Sequence, residues 1–207
     1  NNDDIINFHS KPHNNEYKPN LVNAALYILS PKIFKYINIG EFSDFGKNIF
    51  PKIICENKKL KAYTTAEYIK DMGTPKRLVK VENDYLNGKI RLLNNENKRS
   101  AIFIDRDGVI NKEVDNLRKI EEFELIKDVP EAIKLINNSN YLALVITNQP
   151  VIAKGWSSFQ NLKMIHNKME TLLGLKNAYL DKIYFCPHHP DSGYDGEIKE
   201  LKKDCNC

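Results

Sequence analysis

Two acids one residue apart, Asp105 and Asp107, stand directly after the apolar run AIFI in the string FIDRDGVIN. A carboxylate can attack phosphorus when a nearby cation offsets its repulsion from an anionic phosphate. A second acid two residues on can protonate the leaving oxygen. Gly108 then lets the backbone turn away. A second apolar run, YLALVI, ends in Thr147, followed by Asn148 and Gln149. A hydroxyl at that position can hydrogen-bond a phosphoryl oxygen during transfer. Taken singly, each feature also fits a solvated acid pair or an ordinary strand-end turn residue.

A third group lies near the end of the sequence, where Cys186 and His188 form C-x-H and Cys205 and Cys207 form C-x-C. Three thiolates and one imidazole at two short spacings suit a tetrahedral zinc, and four protein ligands leave no open position, so its role is structural. It would pin the long polar loop between the two pairs; the bland alternative is a set of unpaired thiols in a reducing compartment. Cys55, in PKIICE, reads as a small buried hydrophobe. His166 lies in a helical stretch and reads as a surface or core residue.

These groups need elements to hold them. Residues 100–104 suit a buried strand, and residues 128–138 open with an N-cap Asp and a Pro in the first turn, as helices do. Residues 141–146 form a second buried strand, residues 157–173 carry apolar side chains at helical spacing, and residues 182–185 form a third strand. Strand, helix, strand, helix, strand implies a parallel sheet with crossover helices, whose carboxyl edge is where such sheets bind ligands. The first half is less regular. It contains a strand-like run at 25–29, helical stretches at 31–37 and 45–54, a strand near 60–63 and a helix after Pro75, where Gly73-Thr74-Pro75 supplies turn, cap and first-turn proline. The polar, Asn-rich stretch NGKIRLLNNENKRS marks a boundary, giving domains at 1–90 and 100–207 joined by a linker at 91–99.

Composition narrows the class. With 207 residues and 42% hydrophobic content, the chain can bury one large core or two modest ones. The 31 basic and 27 acidic residues leave a net charge of +4 without a block of like charge, so nucleic acid is not the expected partner. No apolar run reaches the roughly 18 residues of a membrane span, and the polar start is unlike a signal peptide. A cytoplasmic protein acting on a small molecule is expected.

The strings FIDRDGVIN, VITNQPVIAKG and YFCPHHPD followed by CNC together resemble the D-glycero-D-manno-heptose 1,7-bisphosphate phosphatases, histidinol-phosphatase-like members of the haloacid dehalogenase (HAD) superfamily. The resemblance covers residues 100–207. It implies a HAD-like parallel sheet and an Mg-dependent phosphomonoester hydrolase with Asp105 as nucleophile, forming an aspartyl-phosphate, and Asp107 as general acid and then base. It further implies Mg2+ on the Asp105 carboxylate and the Asp107 backbone carbonyl, phosphate contacts from Thr147 and Asn148, and Zn2+ on Cys186, His188, Cys205 and Cys207. Lys154 stands where the family carries Arg, suggesting a cationic phosphate contact without the bidentate fork. Val109 replaces the family's Thr, and Pro150-Val151 its Ser-Gly. Histidinol-phosphate phosphatases share the pattern, so that substrate is the alternative. The family's later Lys and Asp lie beyond Cys207, which leaves open a non-catalytic, zinc-stapled fragment or pseudoenzyme.

Residues 8–86 resemble the rear portion of the sugar-phosphate nucleotidyltransferases, through FHSKP, VNAALYILSPKIFKYI, DFGKNIFPKII and KAYTTAEYIKDMGTPKRLVK. This resemblance implies that Lys11 contacts the sugar phosphate, Asn23 the sugar and Asp71 a catalytic Mg2+. A cation offsets phosphate charge, an amide reads hydroxyls and a hard carboxylate holds Mg2+. Ser10 replaces the family's Glu, Ala25 its Gly, and no Gly-rich loop precedes Gly40 to grip a nucleotide. The expectation is a stretch of a bifunctional protein: the rear of a nucleotidyltransferase α/β domain joined to the front of a heptose bisphosphate phosphatase, serving nucleotide-activated heptose and surface lipopolysaccharide synthesis.

Overall fold

A computed structural model of the chain describes residues 4–8 and 16–207. It divides into two compact units, one of residues 1–16 and 22–81, the other of residues 17–21 and 82–207.

In the first unit, Asp44 caps a π-helical turn at Phe45–Ile49 by accepting a 2.8 Å hydrogen bond from the Lys47 N–H, and α1 (Phe50–Cys55) continues from it. Ile49, Phe50 and Ile53 are buried, and the rings of Phe8, Tyr27 and Phe45 all lie within 5.5 Å of the Phe50 ring. This aromatic cluster is the core of the unit. The expected helix at 31–37 is a 3₁₀ helix at Pro31–Tyr36, and α2 (Pro75–Leu86) begins at its proline. Three expectations fail here, two strands and the burial of Cys55. Residues 25–29 form no strand, because Ala25 takes a positive φ of 56° and no described segment offers a ladder beside it. Near 60–63 there is a single bridge, Asp4 to Lys61, instead of a strand. Cys55 is exposed, since Phe50 and Ile53 occupy the inward side of so short a helix.

The second unit contains the regular alternation. After the short α3 (Lys89–Leu92) come β1 (Ala101–Ile104), α4 (Val129–Asn137), β2 (Leu142–Asn148), α5 (Phe159–Leu175) and β3 (Lys182–Cys186). The strands form a parallel sheet in the order β1-β2-β3, with Ile104 opposite Val145 and Asn148 opposite Cys186. α5 begins at Ser158, whose Oγ accepts the Asn161 N–H at 3.1 Å. Its buried face is Leu162, Ile165, His166, Met169 and Leu173, the spacing of one helical stripe. α4 contributes Ile133 and β2 contributes Ala143 and Val145 to the same core. Asp128 precedes α4, but its side chain makes no cap hydrogen bond.

β1 differs from its expected burial. Among the described residues it pairs on one side only, and Ile102 and Phe103 are 38% and 61% exposed. An apolar run cannot by itself reveal that its strand sits at a sheet edge. Residues 17–21 run against α5, where the Lys18 N–H donates to Thr171 Oγ1 and that hydroxyl donates back to the Lys18 carbonyl.

Candidate active site

Because the three strands run parallel, their carboxyl ends lie along one edge. That edge brings together Asp105 and Asp107 after β1, Thr147 and Asn148 at the end of β2, and Cys186 at the end of β3. Asp105 is exposed, and its one hydrogen bond among the described residues comes from the adjacent Arg106 N–H at 2.7 Å. Its other oxygen is uncommitted, as a nucleophile or a hard-metal ligand requires.

Asp107 is held very differently. Its Oδ1 accepts from Arg106 Nε at 3.1 Å, Arg106 Nη2 at 2.8 Å and Asn111 Nδ2 at 3.1 Å. Its Oδ2 accepts from Arg106 Nη2 at 2.8 Å and Gln149 Nε2 at 2.9 Å. Arg106 is fully buried, so this fork compensates a charge that water cannot reach. Removing one partner of such a pair typically costs about 3–5 kcal/mol. Gln149 is also buried; its Oε1 accepts from Arg106 Nη2 at 2.9 Å, and its Nε2 donates at 2.9 Å to Thr147 Oγ1. His166 is 8% exposed and packs edge-on to the Phe185 ring. Burial first, then the Arg106 guanidinium, push its imidazole down from 6.5 to about 4, with the Asp107 carboxylate opposing. The ring stays neutral near pH 7.

Arg106, Asn111 and Gln149 stood in the motif strings, yet the sequence assigned them no role. Only their burial shows that they form the polar bed of the site. Polar residues flanking an acid pair inside otherwise apolar strand ends were the available signal. Lys154 is half-buried, its Nζ 4.7 Å from the Trp156 ring centre and 5.0 Å from that of Tyr194. The loop bearing Tyr194 docks here. The Ile198 N–H donates to the Ala153 carbonyl at 2.9 Å, while Ile198 and Leu201 pack on Val151, Ile152 and Leu162.

The four late ligands converge. One ligand atom from each of Cys186, His188, Cys205 and Cys207 lies within 4.8 Å of all the others, a group able to hold a metal ion. His188 Nδ1 is 3.1 Å from Cys207 Sγ, and Cys186 Sγ is 3.4 Å from Cys205 Sγ. His189 instead uses Nδ1 to accept the Asp191 N–H. The donor set, three soft sulfurs and one imidazole nitrogen, fits zinc. The cluster also touches the acid pair's bed through the backbone, since the Gln149 N–H donates to the Cys186 carbonyl at 2.7 Å.

In the first unit, Lys11 lies outside the described residues. Asn23 Oδ1 accepts the Ala25 N–H at 2.9 Å, and Asn23 Nδ2 donates to Tyr27 Oη at 2.9 Å. Asp71 accepts the Gly73 N–H at 2.7 Å and pairs with Arg77, both side chains being exposed.

An acid pair and a strand-end threonine on one edge of a parallel α/β sheet are groups that aspartate-based phosphoryl transfer can use. Comparison with known proteins agrees with this class. Residues 1–88 match the nucleotidyl transferase family. Over 111 residues, 54% of this chain and 58% of the relative, the chain is 40% identical to a D-glycero-alpha-D-manno-heptose-1,7-bisphosphate 7-phosphatase of Photorhabdus laumondii. Over 107 residues, 52% of this chain and 55% of the relative, it is 36% identical to a D-glycero-beta-D-manno-heptose-1,7-bisphosphate 7-phosphatase of Salmonella typhi. A solved D,D-heptose 1,7-bisphosphate phosphatase from B. bronchiseptica, complexed with magnesium and phosphate, is 31% identical. That likeness covers 49% of this chain and 57% of that one, with a TM-score of 0.43. The chain spans little more than half the length of the curated relatives it matches. Both resemblances carried by the motifs are thereby met: half of the chain is similar in sequence to heptose-bisphosphate phosphatases, and its first part matches the nucleotidyl transferase family.

Proposed function

We propose that the second unit carries the phosphatase site of an enzyme that removes one phosphate from a sugar bisphosphate, of the heptose 1,7-bisphosphate class. The observation that carries this reading is the contrast within the acid pair, Asp105 exposed with a free oxygen and Asp107 anchored beside it. Asp105 attacks phosphorus, and the bond to the sugar oxygen breaks as Asp107 gives that oxygen a proton. Asp107 then takes a proton from water, which attacks the aspartyl-phosphate and releases inorganic phosphate with Asp105 regenerated. Both Asp107 oxygens are occupied in the structure, so each proton transfer requires the carboxylate to release one of its bonds. Thr147 and Asn148 hold the phosphoryl oxygens, and the Lys154 ammonium offsets their charge. A magnesium ion on the Asp105 carboxylate and the Asp107 backbone carbonyl supplies charge neutralisation when bound. Zinc on Cys186, His188, Cys205 and Cys207 pins the loop that docks beside Lys154.

Removing the 7-phosphate from a heptose 1,7-bisphosphate leaves a sugar 1-phosphate, which a nucleotidyltransferase can activate. The match over residues 1–88 favours this sugar reading over a histidinol phosphate. Lys11, Asn23 and Asp71 are the proposed sugar-phosphate, sugar and Mg2+ contacts of that part. The two activities would serve cytoplasmic synthesis of nucleotide-activated heptose for surface glycans. The test is turnover by the full-length protein, with Mg2+, of heptose 1,7-bisphosphate against histidinol phosphate. Preference for histidinol phosphate would overturn the substrate class, and no phosphate release from either would overturn the activity.

A further inference from the structure

The orientation of the Gln149 amide is fixed by its neighbours. Arg106 Nη2 carries only donors, so the Gln149 atom 2.9 Å from it must be the acceptor Oε1. Nε2 therefore faces the other way, and its two protons are both used, one on Asp107 Oδ2 and one on Thr147 Oγ1, each at 2.9 Å. Thr147 is thus an acceptor on its inner side. Its own hydroxyl proton donates to no described group and is left for a partner at the strand end. Gln149 is 2% exposed, and its backbone N–H is tied to the Cys186 carbonyl at 2.7 Å, so the amide has little freedom to reverse.

We propose that Gln149 is a positioning residue that sets the direction of the Thr147 hydroxyl, making it a dedicated donor to a phosphoryl oxygen. Without this amide the hydroxyl could turn inward and spend its proton on the buried polar bed. The sequence expectation gave Thr147 the phosphate contact; the structure supplies the group that aims it. This rests on the reading of Thr147 as a phosphate ligand in the proposed reaction.

Gln149→Glu tests it with almost no change of shape. The carboxylate replaces a donor by an acceptor, so Thr147 would donate inward and have no proton left to offer the phosphate. Binding of inorganic phosphate to the full-length protein with Mg2+ is measured by calorimetry, and turnover of a sugar bisphosphate is measured separately. Gln149→Glu is expected to weaken phosphate binding at least about tenfold, in the range of an orienting partner lost from a site. Thr147→Val should weaken it similarly. The double variant should lose less than the product of the two single effects, because Gln149 acts through Thr147. Gln149→Met, neutral and close in volume, carries the same cycle if the Glu variant does not fold; it is expected to weaken binding about threefold, since the hydroxyl is then released but not reversed.

Phosphate affinity within about twofold of wild type in Gln149→Glu, independent losses in the cycle, or no phosphate binding by the wild type would each overturn the inference. A wild type that binds phosphate with the expected non-additivity but releases none from a sugar bisphosphate would overturn the proposed reaction and leave the role of Gln149 standing.

Discussion

The two carboxylates of the acid pair differ in what surrounds them, and that difference supports the proposed division of their roles. Asp105 has one bond, from its neighbour's N–H, while Asp107 is gripped by Arg106, Asn111 and Gln149. Asp105→Asn should therefore remove nearly all turnover, since an amide nitrogen is no nucleophile toward phosphorus. Activity kept within about tenfold, a barrier change near 1.4 kcal/mol, would rule out the covalent route. Behind the pair, His166 makes the acid limb of stability. Its folded value, about 4, lies below the ordinary 6.5, so the unfolded chain binds a proton there that the folded chain does not. The contribution is full above pH 6.5 and is lost as pH falls toward 4. At about 1.4 kcal/mol per pH unit, the loss is at most roughly 3.5 kcal/mol. His166→Leu should flatten this limb, as read by urea unfolding at pH 7 and pH 5; an unchanged pH dependence would remove His166 from the account.

At the scale of elements, the sheet edge that carries the acid pair is flanked by one loop lying tightly against another. Gly155 takes φ +71° and meets the Gly196 backbone so closely that an added Cβ would collide with the Gly196 carbonyl. That contact, with the Ile198 to Ala153 hydrogen bond, keeps the Tyr194 ring over the Lys154 ammonium. Gly155→Ala pays twice, in left-handed backbone strain of about 1–2 kcal/mol and in displacement of the facing loop, about 1–3 kcal/mol more. The expected result is faster proteolysis within residues 191–204 and a raised KM for the phosphorylated substrate, with α4 and α5 still folded by circular dichroism. Cleavage at the wild-type rate would mean that the glycine contact does not hold the loop.

At the scale of the molecule, the Cys and His cluster closes the chain between positions 186 and 207 onto the same sheet edge as the acids. Purified full-length protein should carry about one zinc at this cluster, because four converging soft ligands retain the ion even when free metal is scarce. Cys205→Ser should lower the zinc content and expose residues 191–204 to protease. Absence of zinc from the wild type, with all four thiols open to a thiol reagent, would sink the zinc assignment and leave the aspartate mechanism untouched. Much of this molecule was legible in its sequence because the signals are local. Alternating apolar runs and helical stripes announced three strands and two helices, the proline at Pro130 marked one helix start, and Asp105, Thr147 and Cys186 fell at strand ends where parallel pairing aligns them. Where no partner ladder exists, as at residues 25–29, the same local signal misled. Exposure of Phe103 on an edge strand and of Cys55 on a short helix also depended on what lies beside each element. The bed of Arg106, Asn111 and Gln149 was decided only by tertiary structure. A polar side chain declares its role through the partners it meets once buried, and those partners lie up to 43 positions apart in the chain.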